Sequence, residues 1–152
     1  MHRKVSWLCL FIFIVMTPGC LLFAGGSSKG RKPTSFVEGV DGNWKVIEVR
    51  PGLEQVMLWQ TTVDAIATQF DMESLDAASG YLRTGWKTGY GFNQDDASHE
   101  FYRVRVTAKF EPGFTRLRVK AEAEWKSVHG FDRNLTQEVY TDLQGRIGRT
   151  VR

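Results

Sequence analysis

The sequence predicts a single α+β domain in which an antiparallel sheet packs against an N-terminal and a C-terminal helix. Three observations lead to this prediction. Apolar residues recur at helical spacing over 53–70, alternate with polar residues over 101–111 and 115–126, and return to helical spacing over 135–147. The chain has 152 residues, of which 42% are hydrophobic and 24% charged, a composition that fits neither a disordered chain nor a polytopic membrane protein.

The first 19 residues have the layout of an export signal. A basic start precedes an apolar run from Val5 to Met16, and Pro18 and Gly19 follow it. The uncharged stretch extends to Phe23, so a retained membrane anchor is the alternative. Pro18 and Gly19 would interrupt such a helix, which favours a cleaved signal.

Cys20 resembles the lipidated cysteine of bacterial lipoproteins. Gly19 and Cys20 match the end of their lipobox, whereas Thr17 and Pro18 depart from its usual leucine and alanine or serine. The resemblance implies cleavage before Cys20, followed by acylation that anchors the chain to a membrane. Leu21, rather than an aspartate, comes next, which is compatible with sorting to the outer membrane. An ordinary secreted protein is the other interpretation.

The predicted division of the chain is a signal peptide at 1–19, the lipidated Cys20 with a flexible tether at 20–42, and an α+β domain at 43–152. The tether is predicted because residues 24–35 are small, polar and basic, without apolar periodicity. The only other cysteine, Cys9, lies in the signal, so the mature domain has no thiol for a disulfide or a metal site.

The domain is expected to begin with a short strand over 43–50, which Pro51-Gly52 ends. The helix over about 53–70 follows. Its apolar face is predicted to consist of Val56, Trp59, Val63, Ile66, Ala67 and Phe70.

A short extended piece is expected at 71–76. An alternating run at 81–87 follows, and it is predicted to place Leu82, Thr84 and Trp86 on one face. Residues 89–99 read as a mobile loop.

Two long strands, at 101–111 and 115–126, form a predicted hairpin around Pro112-Gly113. Their apolar faces are covered by the helices, whereas their polar faces meet solvent. A loop is expected over 128–132, and a helix from Leu135 to Ile147 closes the domain, which gives about three strands between two helices.

The polar face of the hairpin carries a basic stripe, which is the candidate partner-binding surface. Its members are Arg103, Arg105, Lys109, Arg116, Arg118 and Lys120. Like charges opposite one another on neighbouring strands cost stability, so the stripe suggests binding of acidic protein loops, lipid headgroups or lipopolysaccharide phosphates. The alternative is an ordinary solvated face on which Glu122 and Glu124 pair some of the charge. A nucleic-acid partner is not expected outside the cytoplasm.

Catalytic and metal-binding patterns are missing from the sequence. The histidines His2, His99 and His129 have no partners at metal-ligand spacing, and Asp95-Asp96 reads as a solvated acidic loop. There is no phosphate-binding loop, serine elbow or candidate cysteine nucleophile. We therefore expect a protein that is not an enzyme and needs neither a cofactor nor a metal.

Three features together resemble the repeated domain of the BamC family of lipoproteins. They are an amphipathic helix containing Trp59, the stretch from Phe70 to Trp86 with Asp76 and Gly80 ahead of Leu-Arg-Thr-Gly-Trp, and the run Tyr-Arg-Val-Arg-Val at 102–106. The resemblance covers about residues 53–147. It implies a helix-grip domain without catalytic residues, in a lipoprotein of the outer-membrane β-barrel assembly machinery. Members of that family have a long extended N-terminal region and two such domains, whereas we read this sequence as a short tether and one domain.

Two functions of different classes follow. The first is a non-enzymatic lipoprotein of the outer membrane, facing the periplasm, that binds another envelope protein and supports assembly or maintenance of the membrane. The second is a carrier that holds a lipid or another apolar molecule in the groove between the 53–70 helix and the sheet. In the carrier, Trp59, Trp86 and Trp125 would line the groove; in the first case they would fill the core.

Overall fold

The computed structural model describes residues 30–39 and 44–150, which form an α+β domain with eight antiparallel strands and two helices. The predicted fold class is thus confirmed. The strands are β1 (Phe36–Glu38), β2 (Lys45–Glu48), β3 (Met72–Asp76), β4 (Tyr81–Thr84), β5 (Lys87–Thr88), β6 (Tyr102–Phe110), β7 (Arg116–Trp125) and β8 (Val128–Asp132). The helices are α1 (Gln55–Ala67) and α2 (Arg133–Ile147). The predicted signal peptide and Cys20 lie outside the described residues.

The hairpin of β6 and β7 forms the centre of the sheet, as the alternating pattern predicts. Its register runs from Tyr102 opposite Trp125 to Phe110 opposite Leu117. On the far side of β7, β8 pairs with the end near Trp125 and β2 with the end near Leu117. On the far side of β6, β4 and β5 pair one after the other, and β3 and β1 form the two edges.

The inner face of the sheet and the two helices enclose the core. Because side chains alternate along a strand, every second residue of β6 and β7 points inward, and Val104, Val106, Leu117 and Val119 have no exposed surface. Leu143 of α2 is equally buried. Full burial of each such side chain stabilises the fold by roughly 1.5–3 kcal/mol, so this face is occupied by packing.

Two buried threonines complete the hydrogen bonding where strands part from the central hairpin. The Ala121 amide donates to Oγ1 of Thr136 on α2 at 3.0 Å, at the gap between β2 and β8. The Val106 amide likewise donates to Oγ1 of Thr84 at 2.9 Å, between β4 and β5. These hydroxyls replace carbonyl acceptors that an unbroken strand would supply, so the buried amides are not left unpaired.

Helix α1 occupies the predicted span but is rotated relative to the predicted face. Leu58 and Thr62 are buried, whereas Val56 is 75% exposed. The predicted face is therefore right in part: Ile66 and Phe70 are buried and Trp59 and Val63 are half-buried, but Val56 and Ala67 are exposed. The buried face begins at Leu58 and includes a threonine whose hydroxyl donates to the Leu58 carbonyl at 2.8 Å.

The segment at 128–132 is a strand and not the predicted loop. It pairs with β7, and the register runs from Phe131 opposite Glu122 to Val128 opposite Trp125. Gly130 is required there because a β-carbon would lie 2.2 Å from the Val37 carbonyl oxygen of β1. A glycine inside a strand commonly marks such a close backbone approach. In the sequence alone, the same glycine indicates a turn, which is why a loop was predicted here.

Strand β1 lies within the span 20–42 that was predicted to be a tether. Phe36 is 5% exposed and meets the ring of Tyr102 edge-on, with 6.2 Å between ring centres. The Ser35 hydroxyl donates to the Asp132 carboxylate at 2.8 Å, and the Tyr102 hydroxyl donates to the same carboxylate. Burial and this hydrogen bond raise the pKa of Tyr102 above its ordinary value. The ordered domain thus includes residues ahead of 43.

Asp132 also begins α2. Its carboxylate accepts a hydrogen bond from the Leu135 amide at 2.8 Å, which is the usual N-cap contact.

Within the described residues, no helix has the length and apolar character needed to cross a membrane.

Candidate functional site

The sheet surface that faces away from the helices, here called the outer face, carries all six residues of the predicted basic stripe. They come from β6 and β7, at positions that alternate with the buried ones. Arg103 lies opposite Glu124, Arg105 opposite Glu122, and Lys109 opposite Arg118. The stripe therefore contains two kinds of pairing across the strands, cation with carboxylate and cation with cation.

Five charged residues at one end form what we call the balanced cluster: Arg103, Arg105, Lys120, Glu122 and Glu124. Arg103 Nη2 lies 2.9 Å from a Glu124 carboxylate oxygen, and Lys120 Nζ lies 2.6 Å from Glu122. Arg105 forms an ion pair with the same Glu122. The pairing by Glu122 and Glu124 that belongs to the alternative of a solvated face is thus present in this part of the stripe.

The carboxyl group of Glu122 shows the electrostatics of the balanced cluster. Partial burial raises its pKa, but hydrogen bonds from Lys120 and Arg105 outweigh the burial, and the net pKa lies below its ordinary value of 4.5. Glu122 therefore stays ionised, and its two cationic neighbours, Arg105 and Lys120, share one counter-charge within the domain.

Trp86 lies on the outer face beside the balanced cluster, because a bulge separates β4 from β5. Arg83 pairs with Thr107, and Lys87 pairs with Val104. Between these two pairs, the chain from β4 to β5 contains one residue more than β6 does. Trp86 is packed under two cations, with the guanidinium carbons of Arg103 and Arg105 at 4.7 and 4.5 Å from its ring. The prediction that Trp86 shares the face of Leu82 and Thr84 is wrong.

Lys109 and Arg118 form what we call the open pair. They face each other directly across the strands, and both are exposed. Within the described ranges 30–39 and 44–150, neither side chain forms an ion pair. Two like charges at directly opposed positions repel each other and destabilise the sheet.

An aromatic and an aliphatic side chain adjoin the open pair. The guanidinium carbon of Arg118 and the ammonium of Lys120 each lie 4.9 Å from the ring of Trp44. Val46 of β2 lies directly opposite Arg118 and is 44% exposed. The alternation over 44–48 predicts that Trp44 and Val46 share the face away from buried Ile47, but only the pairing of β2 with β7 places them beside the stripe.

The last stripe residue, Arg116, is paired. Its Nε lies 2.8 Å from Glu48, and its Nη1 lies 3.8 Å from Glu111. The open pair is therefore bordered by carboxylates at both ends, Glu48 and Glu111 on one side and Glu122 on the other.

The three tryptophans proposed for a carrier groove are not brought together. Trp125 is 7% exposed and faces inward, Trp59 is half-buried on α1, and Trp86 is on the outer face. A cleft of about 400 Å³ beside Tyr90 and Phe92, and another of about 240 Å³ between α1 and α2, contain none of the three. A cleft of about 420 Å³ contains only Trp86 among them.

The remaining candidates from the sequence lie apart from one another or have a structural use. His129 Nδ1 is 3.4 Å from Glu124, while His2 lies outside the described residues. Asp96 accepts a hydrogen bond from the Ser98 amide at 2.7 Å and so stabilises its own loop. Among residues 30–39 and 44–150, no group of three His, Cys, Asp or Glu side chains is arranged to hold a metal ion.

Comparison with known proteins gives no assignment. No protein-family model matches the chain, and no curated protein matches it significantly. The resemblance to the BamC family accordingly remains a hypothesis, which depends on the motifs of the sequence.

Proposed function

We propose that this chain is a non-enzymatic envelope lipoprotein whose outer face binds another envelope protein. Acylated Cys20 anchors it to the outer membrane on the periplasmic side, and the complex supports assembly of β-barrel proteins or maintenance of the membrane. The lipobox-like Gly19-Cys20 supports the anchor, and the BamC-like motifs support the assembly role.

The observation that carries the binding role is the open pair. Its opposed cations reduce stability by some tenths of a kcal/mol to about 1 kcal/mol, and the balanced cluster on the same strands avoids that cost. Exposed arginine beside tryptophan is also a combination enriched at the energetic centres of protein interfaces. A partner that neutralises Lys109 and Arg118 would make this arrangement favourable.

The binding role is tested by affinity purification of the tagged full chain from crosslinked envelopes. We expect one partner in near-stoichiometric amount, and we expect Lys109→Ala with Arg118→Ala to reduce its recovery. A matched control, Arg133→Ala with Arg146→Ala, removes two exposed cations of α2 and should leave recovery unchanged. Equal recovery with both variants would contradict the role of the open pair, and recovery of no partner at all would contradict the binding function itself.

The carrier alternative predicts a different result from the same material. Bound lipid in native mass spectra, without a protein partner in the crosslinked sample, would favour it. The separation of Trp59, Trp86 and Trp125 is an observation against the groove that this alternative requires.

The anchor is tested separately by Cys20→Ser. Acylation through Cys20 predicts that this variant leaves the membrane fraction or migrates at the size of the unprocessed chain. If the variant stays in the membrane at unchanged size, an uncleaved N-terminal helix is the anchor and the lipoprotein assignment is wrong.

A further inference from the structure

The surroundings of the open pair restrict what can bind there. Arg118 lies over the ring of Trp44, and within the described chain no carboxylate accepts from its guanidinium. A guanidinium offers several N–H donors in one plane, which suit a carboxylate acceptor. Lys109 adds a second cation directly across the strands. The two residues therefore offer a site for one or two discrete negative groups.

The apolar neighbour defines a second requirement. Val46 is directly opposite Arg118 and 44% exposed, and Trp44 precedes it in the chain. An occupant that buries Val46 and the edge of Trp44 while neutralising the open pair must carry an apolar group next to its negative charge. A protein segment with an acidic and an apolar side chain meets this requirement.

The charges at the border of the open pair argue against a lipid surface. Glu48 and Glu111 lie at one end and Glu122 at the other, each paired with a stripe cation. Attraction to anionic membranes grows with each additional uncompensated cation in a contiguous cluster. Among the described stripe residues, only Lys109 and Arg118 contact no carboxylate, which suits a discrete acidic side chain better than a continuous anionic surface.

We infer that Lys109, Arg118, Trp44 and Val46 form a recognition site for an acidic segment of the partner protein, in which a carboxylate binds between the two cations and an apolar residue covers Val46. This inference rests on the proposed function, because it specifies the partner of that same face. It also assigns the balanced cluster a structural role and excludes it from the recognition site.

The site is tested by photo-crosslinking in envelopes that contain the full chain. The photoreactive residue p-benzoylphenylalanine replaces Val46 in one variant and, as the matched position beside the balanced cluster, His129 in another; the His129 side chain is 74% exposed. We expect the probe at 46 to capture one protein, and mass spectrometry to locate the crosslink in a segment containing aspartate or glutamate. The probe at 129 should capture little of it.

Charge dependence is measured with the probe at 46 in two further backgrounds. Lys109→Ala with Arg118→Ala should reduce capture by about tenfold or more, since both charge-assisted contacts are lost. Lys109→Arg with Arg118→Lys retains both charges and should preserve most of the capture. Capture by the unaltered pair should also decrease as salt is raised, because the charges are exposed and screened.

The outcomes separate the two levels of the proposal. Capture of a protein that is insensitive to the alanine pair, or a crosslinked segment without carboxylates, overturns the recognition site and leaves the proposed protein-binding function standing. Crosslinks to lipid or lipopolysaccharide at 46 replace the acidic segment with a membrane partner. If neither position captures a protein, the site and the proposed function both fail.

Discussion

The balanced cluster and the open pair occupy the same two strands and the same face, yet they differ in how their charges are neutralised. In the balanced cluster, Arg103 and Arg105 lie opposite Glu124 and Glu122, so each arginine finds its counter-charge within the domain. In the open pair the partner of Lys109 across the strands is another cation.

The difference arises from where acidic residues stand along β7. Lys109 is the second outer-face residue after Arg105 along β6. The residue opposite Arg105 is Glu122, whereas the residue opposite Lys109 is Arg118. The neighbouring strands also differ, since β8 and β5 flank the balanced cluster whereas β2 and β4 flank the open pair. The contrast therefore separates charge that supports the fold from charge that is available to a partner.

The largest expected effect comes from reversing a charge within the balanced cluster. Arg105→Glu would place a carboxylate opposite Glu122, with only 22% of the Arg105 side chain and 23% of the Glu122 side chain exposed. We expect a loss of about 2–3 kcal/mol in the free energy of unfolding, measured by urea denaturation. A loss below about 0.5 kcal/mol would mean that the cluster contributes no more than an exposed ion pair.

The two tryptophans of the outer face provide the next contrast. Trp86→Ala removes a ring that contacts Arg103 and Arg105, and it should reduce the free energy of unfolding by about 1–2 kcal/mol. Trp44→Ala removes a ring that contacts Arg118 and Lys120, so its cost in stability should be similar, but it should also weaken partner capture. The comparison fails if Trp86→Ala weakens capture as much as Trp44→Ala does.

The pH dependence of stability gives a smaller and more specific effect. Because the pKa of Glu122 is lowered in the folded state, its contribution is present above the ordinary pKa of 4.5 and is lost as the pH falls through the lowered value. Glu122→Gln should therefore cost about 1 kcal/mol at pH 7 and progressively less as the pH falls below 4.5. Denaturation curves at several pH values check this, and a cost that does not change with pH would contradict it.

The main features of the fold follow from periodicity in the sequence. Alternation over β6 and β7 separates Val104 and Val106 from Arg103 and Arg105, and the structure has the same two faces. Strand β8 could not be predicted this way, since Gly130 and the polar residues around it are typical of loops, and pairing with β7 and β1 is what makes it a strand. The predicted face of α1 is only partly right, because Val56 continues the apolar spacing but is exposed, whereas the polar Thr62 is buried.

The candidate site was predictable in its basic residues but not in its aromatic ones. The alternating pattern places Lys109 and Arg118 on the polar face, and a hairpin turn at Pro112-Gly113 brings them close. The position of Trp86 depends on one extra residue between β4 and β5, which becomes visible only when both strands are paired with β6. A bulge of one residue reverses the face of every side chain beyond it.

The most direct test of the central claim is Lys109→Glu, with stability and partner capture measured on the same variant. A carboxylate opposite Arg118 converts a repulsive pair into an attractive one, so the free energy of unfolding should rise by about 0.5 kcal/mol. Capture of the partner should fall by about tenfold or more, because the acidic segment now meets a like charge. Greater stability with unchanged capture would contradict the claim that the open pair is kept for a partner.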